Sequence, residues 1–424
     1  MTAIVALLFF GLLIIGVPIY LTMGVSAALK FASESQLLPY AQKLIDELNS
    51  STLLAIPYFV IAATFMERGG VARALIDAAT AWVGRMRGGL GLVCVLSCMI
   101  FAAMCGSSVA TAVAMGTILV PAMLRGGYAR GFAAGIVGAS GTLGILIPPS
   151  LAFVVYGVLA DISIPRLFLA GVIPGLLQGA ILMGYIVWVS RRKGYSSGED
   201  LPLREKLRRT LLAVPALLIP VIVLGGLYGG FVTLTESAAL SAVVAILASI
   251  FIYRGIKLAD LMSVMATAVR SAAVIMIIIT TALAFGHWIT ETGAASRAVQ
   301  AVQSWGISSW QFLLMINLLL LLLGMFLEVF SVLLLVVPVI VPMLEPLGID
   351  PIHFGVLLTI NMEIGLLTPP VGLNLFVISN ISKTPLAEVV RGTAPFVVLM
   401  LMLLLCITYV PQISTWLPNL LMSK

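Results

Sequence analysis

The strongest constraint on this chain is that it repeats its own punctuation. From Pro121 to Pro174, and again from Pro342 to Pro395, glycines and prolines coincide at a constant offset of 221 residues. Pro121 pairs with Pro342, Gly127 with Gly348 and Gly144 with Gly365. The doublet Pro148-Pro149 pairs with Pro369-Pro370, Gly171 with Gly392 and Pro174 with Pro395. These residues set backbone geometry: glycine widens the allowed dihedrals, and proline removes a donor and fixes φ. Apolar segments interrupted at corresponding places in two halves are the best sequence pointer to a secondary transporter and its binding site.

The residues between the breaks are apolar. Hydrophobic residues make up 61% of the chain and charged residues 9%, against about 25% charged in an ordinary soluble domain. Lipid supplies no hydrogen bonds, so only helices or a closed barrel can span it. The apolar runs are long and continuous and lack the alternation of barrel strands, which predicts an all-α polytopic membrane protein. The formal net charge of +6 is not a nucleic-acid signature, because most basic residues sit in short loops beside apolar spans. No nucleic-acid partner is expected. Cys94, Cys98, Cys105 and Cys406 have no His or acid at metal spacing and read as packing residues. His287 and His353 belong to no motif, and no nucleotide loop or nucleophile elbow occurs. No nucleophile–base pair or metal set at membrane depth supports an intramembrane enzyme.

Nine crossings are predicted: 2–28, 51–68, 130–160, 166–190, 210–229, 233–253, 263–288, 353–380 and 394–418. The first reads as a retained span, since it has no basic n-region or cleavage site. Two further stretches are broken near their middles, 91–124 by Gly106-Ser107-Ser108 and 311–344 by Glu328 and Ser331. Their arms of about 13 to 16 residues fall short of the roughly 20 needed to cross, so both are expected to be re-entrant hairpins.

The segment 191–209 carries Arg191, Arg192, Lys193, Arg204, Lys206, Arg208 and Arg209, which puts it in the cytoplasm. Nine crossings then place the N-terminus inside and the C-terminus outside, with 18 of the 23 Lys and Arg inside and 5 outside. The first hairpin opens to the cytoplasm and the second outward. Span 130–160 runs outward and its partner 353–380 inward; 166–190 pairs with 394–418 in the same way, and 51–68 with 263–288. The fold expected is therefore an inverted repeat with two hairpins and two broken helices, joined by 210–229. Amphipathic stretches 70–84 and 293–304 read as interfacial braces. The expected division is 1–90 scaffold and brace, 91–165 first transport elements, 166–310 scaffold, connector and second brace, 311–390 second transport elements, and 391–424 last scaffold span.

Chemistry is expected at the breaks. Two adjacent prolines at 148 and 149 remove two helix donors, and Gly144 lets the freed backbone bend. The helix should unwind over 141–149 and present carbonyls, hard oxygen ligands suited to Na⁺. The partner element is Asn361 to Pro370. At the first tip, hydroxyls of Ser107, Ser108 and Thr111 add oxygens, and helix N-termini there suit a carboxylate. Glu328 and Ser331 occupy the corresponding second tip. For Glu328 and Glu363 three roles are open: cation ligation, proton carriage, or a structural bond to exposed N–H groups. Asn361 and Asn374 flank the second break within reach of a polar substrate, so Ser108, Thr111, Asn361 and Asn374 form the candidate substrate set. Glu236, in Thr233-Leu234-Thr235-Glu236-Ser237, reads as part of a helix cap.

These motifs carry a resemblance. The tip Gly106-Ser107-Ser108, the run from Gly144 to Ser150, Thr233-Leu234-Thr235-Glu236-Ser237-Ala238, and Thr368-Pro369-Pro370-Val371-Gly372-Leu373-Asn374 resemble the large membrane subunit of tripartite ATP-independent periplasmic (TRAP) transporters, the DctM-like family. The likeness covers essentially the whole chain; Leu234 stands where the family often has proline. It implies a sodium-driven elevator in the bacterial inner membrane, with a hairpin-bearing transport domain sliding against a scaffold. It also implies two partners: a separate small four-span membrane subunit, docking on the braces and first span, and a soluble periplasmic binding protein. That binding protein would deliver an organic acid such as a C4-dicarboxylate, sugar acid, sialic acid or keto acid. One sodium site would use Ser107, Ser108, Gly141 and Gly144, and the other Glu328, Gly365 and Thr368. The alternative is a self-sufficient Na⁺- or H⁺-coupled carboxylate or ion transporter of similar architecture.

Overall fold

The computed structural model describes residues 2–33, 36–195, 201–291, 293, 297, 299–300, 304 and 306–422. Among the described residues there is no strand, and seven helices are long and apolar enough to cross a membrane. Outward-facing Leu211, Val221 and Met262 are exposed, the surface a lipid-facing helix requires.

The first half opens with α1 (Thr2–Ile14) and α2 (Ile19–Ser33). The expected single crossing over 2–28 is corrected here. Gly16 takes φ +85°, and Val17 N–H bonds back to the Leu12 carbonyl, a left-handed stop followed by Pro18. Val5 and Phe9 of α1 share one buried cluster with Met23 of α2, so the chain folds back on itself. Then come α3 (Leu37–Leu48), α4 (Ala55–Arg68) and α5 (Val71–Val83), the last matching the first expected brace. The hairpin is α6 (Gly89–Cys105) and α7 (Ser108–Arg125). The first broken helix is α8 (Arg130–Thr142), a 3₁₀ turn at Leu143–Ile145, and α9 (Leu151–Ala160); α10 (Ile164–Lys193) follows.

The second half follows the same plan. The connector is α11 (Leu203–Tyr228), then α12 (Leu234–Leu247) and α13 (Leu261–Glu291). The start of α12 is a capping box: Thr233 accepts from Glu236 N–H, and Glu236 accepts from Thr233 N–H. The second expected brace, 293–304, lies mostly outside the described residues. The second hairpin is α14 (Ser309–Gly324) and α15 (Val329–Leu344), and the second broken helix is α16 (Pro351–Gly365) and α17 (Leu373–Ser382). The last crossing, α18 (Leu386–Tyr409), starts earlier than expected and stops at Pro411, after which α19 (Gln412–Leu421) turns off.

The arms of the first hairpin are longer than expected, with 17 residues in α6 and 18 in α7, and those of the second, α14 and α15, reach the upper end of the expected range with 16 each. Arm length therefore does not distinguish a hairpin from two crossings. Placement does. α6 and α7 run beside α8 and stop at the 3₁₀ turn, while α9 continues ten residues beyond. The tip thus lies part-way along the broken helix. Beyond each break, the outgoing half packs on the opposite hairpin: α9 on α15, and α17 on α7. The hairpins consequently open toward opposite ends of the molecule, which is the inverted repeat.

Packing groups the helices into two bodies. α1–α5 and α11–α13 form a frame, with α12 and α13 laid against α4 and α5 against α11. Hairpins, broken helices, α10, α18 and α19 form a core. Spans 166–190 and 391–424, read from the sequence as scaffold, pack on the hairpins and broken helices. α10 lies on α6, α16 and α19, and α18 lies on α8 and α16. The reason is glycine: Gly131, Gly135 and Gly138 of α8 face Gly392, Phe396 and Thr393 of α18, where an added Cβ would strike backbone or side chain. Small residues let membrane helices approach this closely. Frame and core meet along α4, α5 and α13.

The two breaks differ in cover. The first is buried beneath α10, with Gly171 against the Leu146 carbonyl and Gly175 against Ile147. The second is exposed at Pro369, Pro370 and Val371.

Candidate transport site

Each break follows from a donor that proline cannot supply. Residues 148 and 149 would have bonded the carbonyls of Gly144 and Ile145 in a continuous helix. The Ser150 hydroxyl takes the Ile145 carbonyl instead, at 2.5 Å. In the second half, Pro369 and Pro370 desert Gly365 and Leu366. There the Asn374 main-chain N–H takes the Leu366 carbonyl at 3.1 Å and Thr368 N–H takes that of Gly365 at 3.1 Å. Both proline doublets contain a cis bond.

Each tip is seated on its own break. Gly106 closes α6 with φ +61°, and a Cβ there would lie 3.0 Å from the Leu151 nitrogen. Ser107 then caps α7, accepting from Ala110 N–H. Thr111 Oγ1 donates to the Ser107 carbonyl at 2.7 Å. Gly144 packs on the same carbonyl so closely that an added Cβ would stand 2.7 Å from it, and Gly141 packs on Ala112. Ser107, Thr111, Gly141 and Gly144 therefore meet at one point. At the second tip, Val371 and Gly372 N–H groups both donate to the Met325 carbonyl at 3.2 Å. Gly365 faces Gly324, where a Cβ would lie 2.6 Å from a backbone carbon. Thr368 Oγ1 donates to the Ile364 carbonyl at 2.6 Å. Glu328 is the N-cap of α15.

Between the tips lies a cavity of about 210 Å³. At about 30 Å³ per water it takes roughly seven waters or one small solute. Four helices begin at its wall. The first residues of α7 (Ser108), α9 (Leu151), α15 (Val329) and α17 (Leu373) all line it. Each helix N-terminus carries about half a positive charge and unpaired N–H groups, so the site offers an anion four positive ends without a lysine or arginine. Ser107, Ser108 and Glu328 add polar side chains, and α4 and α13 close the remaining wall with Thr64, Glu67 and Ser271.

Of the other candidates, Asn374 joins this site from behind: its amide donates to Ser108 Oγ at 2.5 Å, linking the two halves. Thr111 is buried behind the tip and does not line the cavity. Asn361 lies away from it. Its amide donates to Asn317 at 2.8 Å, and Asn317 to Thr408 at 2.9 Å, tying α16, α14 and α18 together. Glu363 is fully buried and accepts from Gln178 of α10 at 2.5 Å, so it braces α10 against α16 and does not approach Glu328's cavity. Glu67 and Gln178 were missed as site and support residues. A lone glutamine within apolar span 166–190 was the available signal for Gln178. Among the described residues no three of His, Cys, Asp and Glu cluster.

The family model for the tripartite ATP-independent periplasmic transporter, DctM component, matches residues 6–413. This chain belongs to the DctM family. It is a permease component and not an enzyme. It is 44% identical over 404 residues to the C4-dicarboxylate TRAP transporter large permease protein DctM of Pseudomonas aeruginosa, covering 94% of each chain. It is 42% identical to the protein of the same description from Vibrio cholerae, covering 99% of this chain and 98% of that one. Its fold is similar to that of the Alcanivorax borkumensis YdaH transporter, with TM-score 0.58, 14% identity and 88% of each chain covered. Family and helix lengths agree on a multi-pass membrane permease.

Proposed function

We propose that this permease is the sodium-coupled, binding-protein-dependent importer of a small organic dianion of the C4-dicarboxylate class. The observation that carries this reading is the convergence of four helix N-termini on one small cavity. Two carboxylates could each lie against a pair of N-termini, and about 210 Å³ accommodates a small dianion. The similarity to C4-dicarboxylate permeases supports the same class.

Na⁺ would travel as co-transported cargo. Its proposed ligands are oxygens of Ser107, Ser108, Gly141 and Gly144 at one tip, and of Glu328, Gly365 and Thr368 at the other. The fit rests on donor chemistry: proline deprives the Gly144 carbonyl of its helical partner, and unwound carbonyls at such breaks suit Na⁺. Cations at both tips would steady the helix ends that hold the dianion, which couples the two bindings. The core would move as the elevator and the frame stay fixed. The positive-inside rule puts the basic segment 191–209 in the cytoplasm, from which the later crossings would carry the C-terminus to the periplasm of an inner membrane. The cavity meets α13 near Arg270 and α4 near Arg68, which under the positive-inside rule would turn its mouth toward the cytoplasm in this state. A small four-span subunit and a periplasmic binding protein complete the proposed assembly, in keeping with the tripartite family.

Reconstitution in liposomes tests the reading. Uptake of labelled succinate is expected only when the small subunit, the binding protein and an inward Na⁺ gradient are all present. Uptake by this chain alone, or uptake indifferent to Na⁺, would overturn it in favour of a self-sufficient transporter.

A further inference from the structure

We infer that Glu67 is an eject residue: a fixed negative charge on the frame that weakens the hold on an anionic substrate in this state alone. The inference rests on the proposed transport of a dicarboxylate.

Three observations carry it. First, Glu67 lines the same cavity as the two tips and is accessible within it. Second, it belongs to α4, which packs with α12 and α13 in the frame, whereas the tips and their N-termini belong to the core. The cavity wall is thus made by two bodies, and only the core's share would travel with the substrate. Third, no lysine or arginine lines the cavity; the cation that acts on Glu67 is Arg68, the next residue of α4, which stays on the frame with it. The other lining acid, Glu328, moves with the core and is present in every state.

A ligand shifts an equilibrium only through differential affinity for the two end states. The helix N-termini hold the dianion wherever the core stands, and so provide no difference between states. Glu67 does. When the cavity is beside the basic end of α4, a like charge faces the bound carboxylates and favours their departure. When the core has moved away, that repulsion is gone. Glu67 lines the cavity with Ser107 and Ser108, but no hydrogen bond joins it to either, so the proposed sodium ligands would stay in place without it.

The test is equilibrium binding of succinate to the full-length chain in nanodiscs at saturating, constant Na⁺. Ionic strength is varied with choline chloride. Glu67→Gln is expected to tighten binding several-fold. Wild-type affinity should rise with choline chloride as the repulsion is screened, and that dependence should flatten in the variant. Glu67→Asp, which keeps the charge, should behave as wild type, and the Na⁺ dependence of binding should be the same in all three. Equal affinity and equal salt response in Glu67→Gln and wild type would overturn the inference while leaving the transport reading intact. A changed Na⁺ dependence would also overturn it, by making Glu67 a cation ligand. Absence of any Na⁺-dependent succinate binding in wild type would instead sink the reading on which it rests.

Discussion

The side-chain amide of Asn374 donates to the hydroxyl of Ser108 at 2.5 Å, across 266 positions of sequence. Ser108 opens α7 and Asn374 lies in the first turn of α17, so one bond ties the first tip to the second break. Ser108→Ala leaves a buried amide unpaired, at a cost of about 1–3 kcal/mol. Uptake should fall about tenfold or more, since each 1.4 kcal/mol is a factor of ten. A double-mutant cycle with Asn374→Ala should return a coupling of about 0.5–3 kcal/mol in uptake; strictly additive effects would contradict the link.

Gly144 and Gly365 have no room for a side chain. A methyl group would stand 2.7 Å from the Ser107 carbonyl oxygen or 2.6 Å from a Gly324 backbone carbon. Either alanine must push its tip off its break, at about 1–3 kcal/mol of overpacking. The Na⁺ concentration giving half-maximal uptake should rise about tenfold, with the protein still inserted. Gly184→Ala is the control, because nothing lies within 4 Å of its Cβ position. An unchanged sodium response in both tip variants would remove the carbonyls from the proposed cation sites.

Gln178 and Glu363 form a support pair outside the cavity. Gln178→Leu strands a fully buried carboxyl, and about 1–3 kcal/mol of stability should go with it. The melting temperature in detergent should drop by several degrees, and uptake per folded molecule should stay near wild type. Lost uptake at unchanged melting temperature would give the pair a transport role in place of a structural one.

The seam between α8 and α18 is the fourth test. A side chain at residue 392 would run into the Gly131 backbone. Gly392→Leu should cost more than any tip variant, and is read as loss of monodisperse protein on size exclusion. Normal yield and elution would mean that the two helices can part freely.

Much of this was legible before any coordinate. The offset of the glycines and prolines located both breaks, because proline's missing donor acts locally and needs no tertiary context. Glu236 was legible for the same reason, since a capping box closes within four residues. The turn at Gly16 was not, because Gly and Pro inside one apolar run also suit a continuous membrane helix. Asn361 and Asn374 looked alike from sequence, both polar and both beside the second break. Only packing sent one to Asn317 and the other to Ser108. Nor could spacing say that α10 and α18 pack against the hairpins and broken helices, since that depends on which glycines find each other across hundreds of residues.

Pro369, Pro370 and Val371, exposed and outside any helix, bear on the membrane itself. Oil cannot lie against them. On that flank the bilayer must therefore give way to a wet vestibule or to another polypeptide. A solute stepping off the tips would have a moist threshold already waiting, half-way down into what would otherwise be hydrocarbon.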